Sequence, residues 1–254
     1  MTVAAPEPRE NADIESSSEM YARRFAGPVG QWFVELQARL TLECLAALPA
    51  GATVLDVGGG HAQVAPALVD AGFRVTVVGS DPSCGDRLRP LTSSGRCRFE
   101  VADLLALPYE PAAFDAVVCY RLIPHSIDWQ RLIGELCRVA RRRVIVDYPA
   151  RRSVNFASSA LFRIKNSIER GTTRPFALFS RGEIARAFDH AGFAVMSVRP
   201  QFLLPMALYR MAGSVRLARV SEGLARSLGL TRLLGSPVIV RADRRQPTGG
   251  FARR

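Results

Sequence analysis

The residues best suited to chemistry lie in a short run that ends in glycines. Asp56 closes an apolar stretch, and Gly58, Gly59 and Gly60 follow it almost at once. A turn of glycines has no Cβ atoms to hold a ligand away, so its backbone N–H groups can approach the ligand closely. Apolar and polar residues then alternate at helical spacing over residues 63–71. The run predicts a buried strand, a ligand-binding turn and a helix.

Other residues whose side chains could bind a ligand or transfer a proton also follow apolar, strand-like segments. Asp81 comes shortly after residues 74–78, and Asp103 comes after residues 98–101. Tyr120 ends a fourth such segment, residues 114–120, and His125 follows that segment. Parallel strands joined by helices bring their carboxyl ends to one edge of a sheet, where ligands bind. We therefore expect these side chains to share one site.

The elements that must position these residues alternate along the chain. A helical region over residues 21–48 ends at Pro49-Ala50-Gly51, and Ser180 with Glu183 predicts a capping box at a later helix. Predicted helices cover residues 63–71, 84–92, 128–140 and 180–191, and predicted strands cover residues 53–57, 74–78, 98–101, 114–120, 143–147, 193–198 and 237–241. This alternation predicts an α/β fold with a doubly wound, seven-stranded sheet.

The same pass predicts how the chain is organised. We expect a disordered tail at residues 1–18, an N-terminal helical segment at 19–50 and one domain at 51–243. Two helical insertions interrupt that domain, at about residues 153–179 and 202–235, and residues 244–254 form a basic tail.

Composition narrows the partners and the compartment. The net charge of the 254 residues is +11, but Lys165 is the only lysine, which indicates codon bias more than selected phosphate binding. We therefore do not expect a nucleic-acid partner. The five cysteines are scattered without a CxxC pair, as in proteins of a reducing compartment. Without a signal-like start or a spanning apolar stretch, we expect a cytoplasmic protein, at most peripheral at a membrane.

Three motifs carry a resemblance to a known family. They are D-V-G-G-G-H-A at residues 56–62, V-V-G-S-D-P-S at 77–83, and A-D-L-L-A-L-P-Y at 102–109 followed by F-D-A-V-V at 114–118. Together they resemble the class I S-adenosylmethionine-dependent methyltransferases, in their small-molecule, type 11-like branch. The resemblance covers roughly residues 21–242. It implies a Rossmann-like fold with an N-terminal helical lid, and S-adenosylmethionine as the cofactor.

The resemblance also implies roles for the residues that match. Asp56 would contact the methionine amino group, and Gly58 and Gly60 would let the cofactor approach the backbone. Asp81 would accept hydrogen bonds from the ribose hydroxyls. Asp103 would accept from the adenine amino group, with the backbone N–H of Leu104 facing a ring nitrogen.

The matches are imperfect at two points. Ala62 stands where the family has its third glycine, and Asp81 lies about two residues further from the glycine turn than the pattern requires. Competing nucleotide folds fit less well. A nicotinamide-binding turn would need glycine in place of Gln63, and a P-loop would need a Gly-Lys pair that the chain lacks.

The acceptor side leaves several interpretations open. In the resemblance, Tyr120 lines the cofactor pocket or assists catalysis, and His125 is a general base, a pocket wall or a helix cap. Tyr21 and Phe25 either form a lid or pack in the core. The insertion at 202–235 combines an apolar cluster with five arginines. It would contact an anionic membrane, cover an acceptor pocket, form a dimer contact or cap the sheet edge.

These observations lead to one preferred function. We expect a metal-free enzyme that transfers a methyl group from S-adenosylmethionine to a small, apolar acceptor, by O- or C-methylation. An RNA methyltransferase is an alternative, although the N/D-P-P-[FYW] signature is missing at residues 119–122. A non-catalytic methyltransferase-like binding protein is another. The acceptor and the oligomeric state stay open.

Overall fold

A twisted mixed sheet organises the protein. The computed structural model describes residues 11–154 and 176–246. Within these residues, seven strands line up in the order β3-β2-β1-β4-β5-β7-β6. The strands are β1 (Thr53–Val57), β2 (Arg74–Gly79), β3 (Cys97–Val101), β4 (Phe114–Cys119), β5 (Ala140–Tyr148), β6 (Phe193–Pro200) and β7 (Val238–Arg244). The first five strands are parallel, and β7 runs antiparallel between β5 and β6. The predicted fold class is confirmed.

Helices cover the two faces of this sheet. They are α1 (Ala12–Ser17), α2 (Glu19–Ala22), α3 (Gly27–Leu45), α4 (Ala65–Asp70), α5 (Arg89–Ser93), α6 (Trp129–Val139), α7 (Arg181–His190), α8 (Met206–Ala212), α9 (Val215–Ser227) and α10 (Leu230–Leu234). The predicted capping box of Ser180 and Glu183 starts α7. The central strands β1, β4 and β5 are buried along most of their length because both faces are covered, which explains their Val-rich, non-alternating sequences.

The N-terminal segment corrects one expectation. We expected residues 1–18 to be a disordered tail, but residues 12–17 form the helix α1. Asp13 in this helix is only 1% exposed. Its carboxylate accepts hydrogen bonds from a residue just after the end of β2. A local sequence pattern cannot predict a partner so distant along the chain. Residues 1–10 lie outside the described part of the chain.

The two insertions differ in how much of them can be described. Most of the insertion at 153–179 lies outside the described residues. The insertion at 202–235 is helical, as expected, and forms three helices, α8 to α10. Phe202 and Tyr209 from this insertion pack against Trp32 and Phe33 of α3, with the rings of Phe33 and Phe202 4.2 Å apart. The N-terminal helical segment and the insertion therefore share one aromatic core.

Candidate active site

The glycine turn after β1 tolerates no larger residues. Gly58 has φ of +72°, in the left-handed region that favours glycine. A Cβ on Gly59 would collide with the carboxylate of Asp56, and a Cβ on Gly60 would collide with the backbone carbonyl of Cys84. The sequence motif predicted a need for Gly58 and Gly60. The structure adds Gly59, because the side chain of Asp56 turns back beneath it.

Asp56 is a buried acid at this turn. Its side chain is fully buried, and within the described residues neither of its carboxylate oxygens accepts a hydrogen bond. Burial raises the pKa of Asp56 to about 7. A buried carboxylate without a partner is costly unless something compensates it. The site therefore suits a ligand that brings a hydrogen-bond donor or a positive charge to this position.

The helix α1 covers the same turn from outside. The backbone N–H and the hydroxyl of Ser80 donate to the carboxylate of Asp13, at 2.7 and 2.5 Å, and the thiol of Cys84 donates at 3.3 Å. A Cβ on Gly60 would also meet the hydroxyl of Ser17. A ligand lying against the glycine turn must therefore share this space with α1 or displace it.

Asp81 and Asp103 lie at the same level of the sheet. Gly79 of β2 pairs with Val101 of β3, and each acid comes two residues after its member of that pair. Asp81 accepts from the hydroxyl of Ser83 at 2.6 Å and from the backbone N–H of Ser83 at 2.9 Å, and these two hydrogen bonds lower the pKa of Asp81.

Asp103 and Leu104 are the residues predicted to hold the adenine. Asp103 accepts from the backbone N–H of Leu105 at 2.9 Å, and Leu104 is fully buried. The register brings Asp56, Asp81 and Asp103 to one edge of the sheet. Whether they hold a cofactor there stays a prediction.

A polar network lies beside the turn, at the ends of β4 and β5, and we did not predict it. The backbone N–H of Arg121 donates to the buried carboxylate of Asp147 at 2.6 Å. Its guanidinium donates to the side-chain carbonyl oxygens of Gln37 (at 2.9 Å) and Gln63, and it lies 4.3 Å from the centre of the Phe25 ring. Burial raises the pKa of Asp147 to about 6, although Arg121 acts against this rise.

A backbone feature marks this network. Arg121 has φ of +62°, which is uncommon for a residue other than glycine. Such strain is typical of functional sites, but no sequence signal distinguishes this arginine from the many others in the chain. Phe25 therefore lies at this edge of the sheet, with its ring against the guanidinium of Arg121.

Tyr120 contacts α3 through its side chain. Its side chain is 1% exposed, and its hydroxyl lies 2.6 Å from the hydroxyl of Thr41 in α3. Burial raises the pKa of Tyr120 well above its usual value. The structure therefore places this hydroxyl in a helix–sheet contact, where the charges of Asp147 and Asp56 also act to raise its pKa. This placement gives no support to a catalytic role.

The two histidines of this region have different environments. His125 ends a short 3-10 turn after β4 and is partly exposed, with its ring 5.5 Å from that of Phe176. His61 lies inside the glycine turn and is 1% exposed, and burial, followed by the charges of Arg121 and Arg87, lowers its pKa well below the usual value. His61 is therefore neutral near pH 7, whereas His125 stays the candidate for proton transfer.

Fold and site together define a class I methyltransferase architecture. The glycine turn after β1 and the strand-end acids contain the motifs on which the sequence resemblance was based, and the strand order is now known as well. The model of the methyltransferase domain family matches residues 31–198. The chain therefore belongs to the methyltransferase domain family, and the predicted resemblance is confirmed.

Curated relatives share part of the chain. A demethylmenaquinone methyltransferase of Deinococcus radiodurans is 35% identical over 118 residues, which are 44% of this chain and 48% of that protein. A 2-methyl-6-phytyl-1,4-hydroquinone methyltransferase of Synechocystis is 36% identical over 98 residues, which are 37% of this chain and 30% of that protein. The chain thus matches about half, or less, of the length of these relatives.

Solved structures agree on the fold across more of the chain. A magnesium protoporphyrin IX methyltransferase of Synechocystis with bound SAH aligns with a TM-score of 0.61 at 15% identity, covering 91% of this chain and 97% of that one. A geranyl diphosphate methyltransferase in complex with GPP and sinefungin aligns with a TM-score of 0.60 at 19% identity, covering 83% and 77%. At these identities the likeness shows the fold alone.

Proposed function

We propose that this enzyme transfers the methyl group of S-adenosylmethionine to a small, apolar acceptor. The observation that carries the proposal is the buried carboxylate of Asp56 beneath a turn of three glycines, which accepts no hydrogen bond from the described part of the chain. The cofactor would bring a positively charged amino group, which is the partner that a buried carboxylate requires. Gly58 and Gly60 would leave room for the cofactor at the backbone.

The remaining strand-end acids would complete the cofactor site. Asp81 would hold the ribose, and Asp103 with the Leu104 backbone would hold the adenine, as the resemblance implies. When bound, the cofactor supplies a methyl group on a sulfonium, which is already activated for displacement. The chain then needs to hold the acceptor in line with that group and, for an acceptor hydroxyl, to remove its proton.

An apolar aromatic acceptor has the best support. Two curated relatives carry a demethylmenaquinone or a hydroquinone in their names. In this chain, Phe25 and Phe176 lie beside the groups at the ends of β4 and β5, where an acceptor would face the methyl group. We propose His125 as the proton acceptor, since it is a partly exposed imidazole in the loop after β4.

Two measurements test this function. Calorimetry with S-adenosylhomocysteine should show binding in the micromolar range, and undetectable binding would refute the proposed cofactor. Incubation with S-adenosylmethionine and a panel of lipophilic phenols and hydroquinones should release S-adenosylhomocysteine. His125→Ala should lower kcat without changing the affinity for S-adenosylhomocysteine. His190→Ala, at the exposed end of α7, is the matched control and should behave as the wild type.

A further inference from the structure

An apolar stripe on α9 faces solvent. Leu217, Val220 and Leu224, with Leu228 just after the helix, recur at spacings of three and four residues and so share one helix face. Their exposed fractions are 58, 69, 61 and 65%. The helix packs on the protein through a different face, which contains the buried Ala218, Glu222 and Ala225. The stripe is therefore additional to the face that α9 needs for folding.

The neighbouring helices of the insertion also carry exposed apolar side chains. Met211 of α8 is 83% exposed, and Leu233 of α10 is 70% exposed. We name these six residues the leucine surface: Met211, Leu217, Val220, Leu224, Leu228 and Leu233. A single insertion rarely exposes so many large apolar side chains to water unless they meet a partner.

The insertion that carries the leucine surface is rich in arginine. Residues 201–235 contain five arginines and a single acid, Glu222, which is 2% exposed. Arg219 lies 3.8 Å from Glu35 of α3, with both side chains largely exposed. Within the described residues, Arg210 and Arg216 form no ion pair. The outward face of the insertion is therefore apolar and cationic.

The buried Glu222 holds this face in shape. Its carboxylate accepts from the backbone N–H of Leu203 at 2.6 Å, from the hydroxyl of Thr231 at 3.1 Å and from the hydroxyl of Tyr209. One acid thus ties together α8, α9, α10 and the segment before them. Because the insertion is anchored through its inner face, its outer leucines cannot be buried by a small local shift.

We infer that the leucine surface docks on an anionic lipid bilayer. Apolar side chains enter the boundary between headgroups and acyl chains, while the arginines meet the negative headgroups. A second copy of the chain fits poorly, because it would bring arginines against arginines. A nucleic acid would pair with the arginines but leave the leucines in water. The inference does not depend on methyl transfer.

The position of the surface agrees with a lipid-derived acceptor. Leu233 also lines a cleft of about 510 Å³ together with Ala150 and Phe179. Ala150 comes two residues after the end of β5, at the edge of the sheet where the candidate site lies. This step rests on the proposed function, whereas bilayer binding itself does not.

Vesicle sedimentation of the full chain tests the docking. The protein should pellet with vesicles of phosphatidylcholine and phosphatidylglycerol at low salt, and much less with phosphatidylcholine alone. Arg210→Gln with Arg216→Gln should weaken the binding by roughly fivefold for each arginine removed. The matched control, Arg98→Gln with Arg142→Gln, changes two exposed arginines elsewhere and should bind as the wild type.

The leucines need a separate test that does not rely on charge. Leu217→Ser with Leu224→Ser should lower bilayer affinity at least about tenfold, without a fall in Tm, because both side chains are exposed. The control is Met196→Ser, which changes a 58% exposed residue of β6. The five native cysteines are buried, so Leu224→Cys can be labelled selectively with an environment-sensitive dye. Its emission should shift to the blue on anionic vesicles, and that of labelled Met196→Cys should not.

Three outcomes would overturn the inference. The first is equal pelleting with and without phosphatidylglycerol. The second is an unchanged dye emission at Leu224→Cys when the protein is bound to vesicles. The third is a wild type that does not bind vesicles but dimerises with rising concentration or binds an RNA probe. In that case the serine or glutamine variants would abolish the dimerisation or the RNA binding. Activity plays no part in these readouts, so failure here and failure of the proposed function can be told apart.

Discussion

Asp56 makes a quantitative prediction about cofactor binding and pH. Burial raises its pKa from 3.8 to about 7, so its carboxyl is largely protonated at pH 5.5 and largely ionised at pH 7.5. If the ionised form receives the amino group of the ligand, binding below pH 7 requires the loss of a proton. The ionised fraction falls by a factor of roughly 25 between pH 7.5 and pH 5.5, and the affinity should fall by the same factor.

The same shift predicts the stability of the ligand-free protein. The folded state holds the proton more tightly than the unfolded state, so Asp56 contributes most to stability below pH 4. That contribution is lost as the pH rises through about 7, and the loss over three pKa units is on the order of 4 kcal/mol. Asp56→Asn should therefore stabilise the ligand-free protein at pH 7.5 while weakening its binding of S-adenosylhomocysteine.

Calorimetric titration with S-adenosylhomocysteine at steps between pH 5.5 and 7.5 is the assay. The wild type should show the rise in affinity, and Asp56→Asn should bind weakly at every pH. The control is Asp115→Asn, which should keep the wild-type profile. Asp115 lies at the amino end of the neighbouring strand β4, and its hydrogen bonds to Thr53 lower its pKa. A pH dependence that survives in Asp56→Asn would refute the reasoning and assign the titration to another buried group, of which Asp147 is the first candidate.

The remaining predictions concern single contacts at the strand ends. Gly60→Ala should abolish binding of S-adenosylhomocysteine or lower Tm, because its Cβ would strike the Cys84 carbonyl, whereas Gly134→Ala in α6 has open space and should do neither. Asp103→Ala should weaken cofactor binding roughly ten- to a hundredfold by calorimetry, and unchanged affinity would argue against the adenine role. Tyr120→Phe should cost about 1 kcal/mol of unfolding free energy and preserve kcat, so a large loss of kcat would contradict its placement against α3. Asp13→Ala should release α1, seen as faster proteolysis near residue 13, and intact protection would show that its bonds to Ser80 do not hold the helix.

The fold could be predicted from the sequence because its signals are local. Most strands appear as short runs rich in apolar residues, and the longer helices appear through their period, a cap or a breaking residue. The capping box of Ser180 and Glu183 needs only residues three positions apart, and it was found as predicted. The glycine turn with Asp56 is similarly local, so the sequence alone was enough to locate the most informative part of the site.

The sequence by itself determined the order of the elements, the glycine turn, and the strand-end positions of Asp56, Asp81 and Asp103. Only the tertiary structure decided which side chains meet there. Asp13 reaches Ser80 across 67 positions, and Arg121 joins Gln37 across 84. The hydroxyl of Tyr120 turns to α3, which no spacing rule predicts. The physical reason is that these contacts depend on how distant helices pack on the sheet, whereas strand ends, turns and caps depend on a few neighbouring residues.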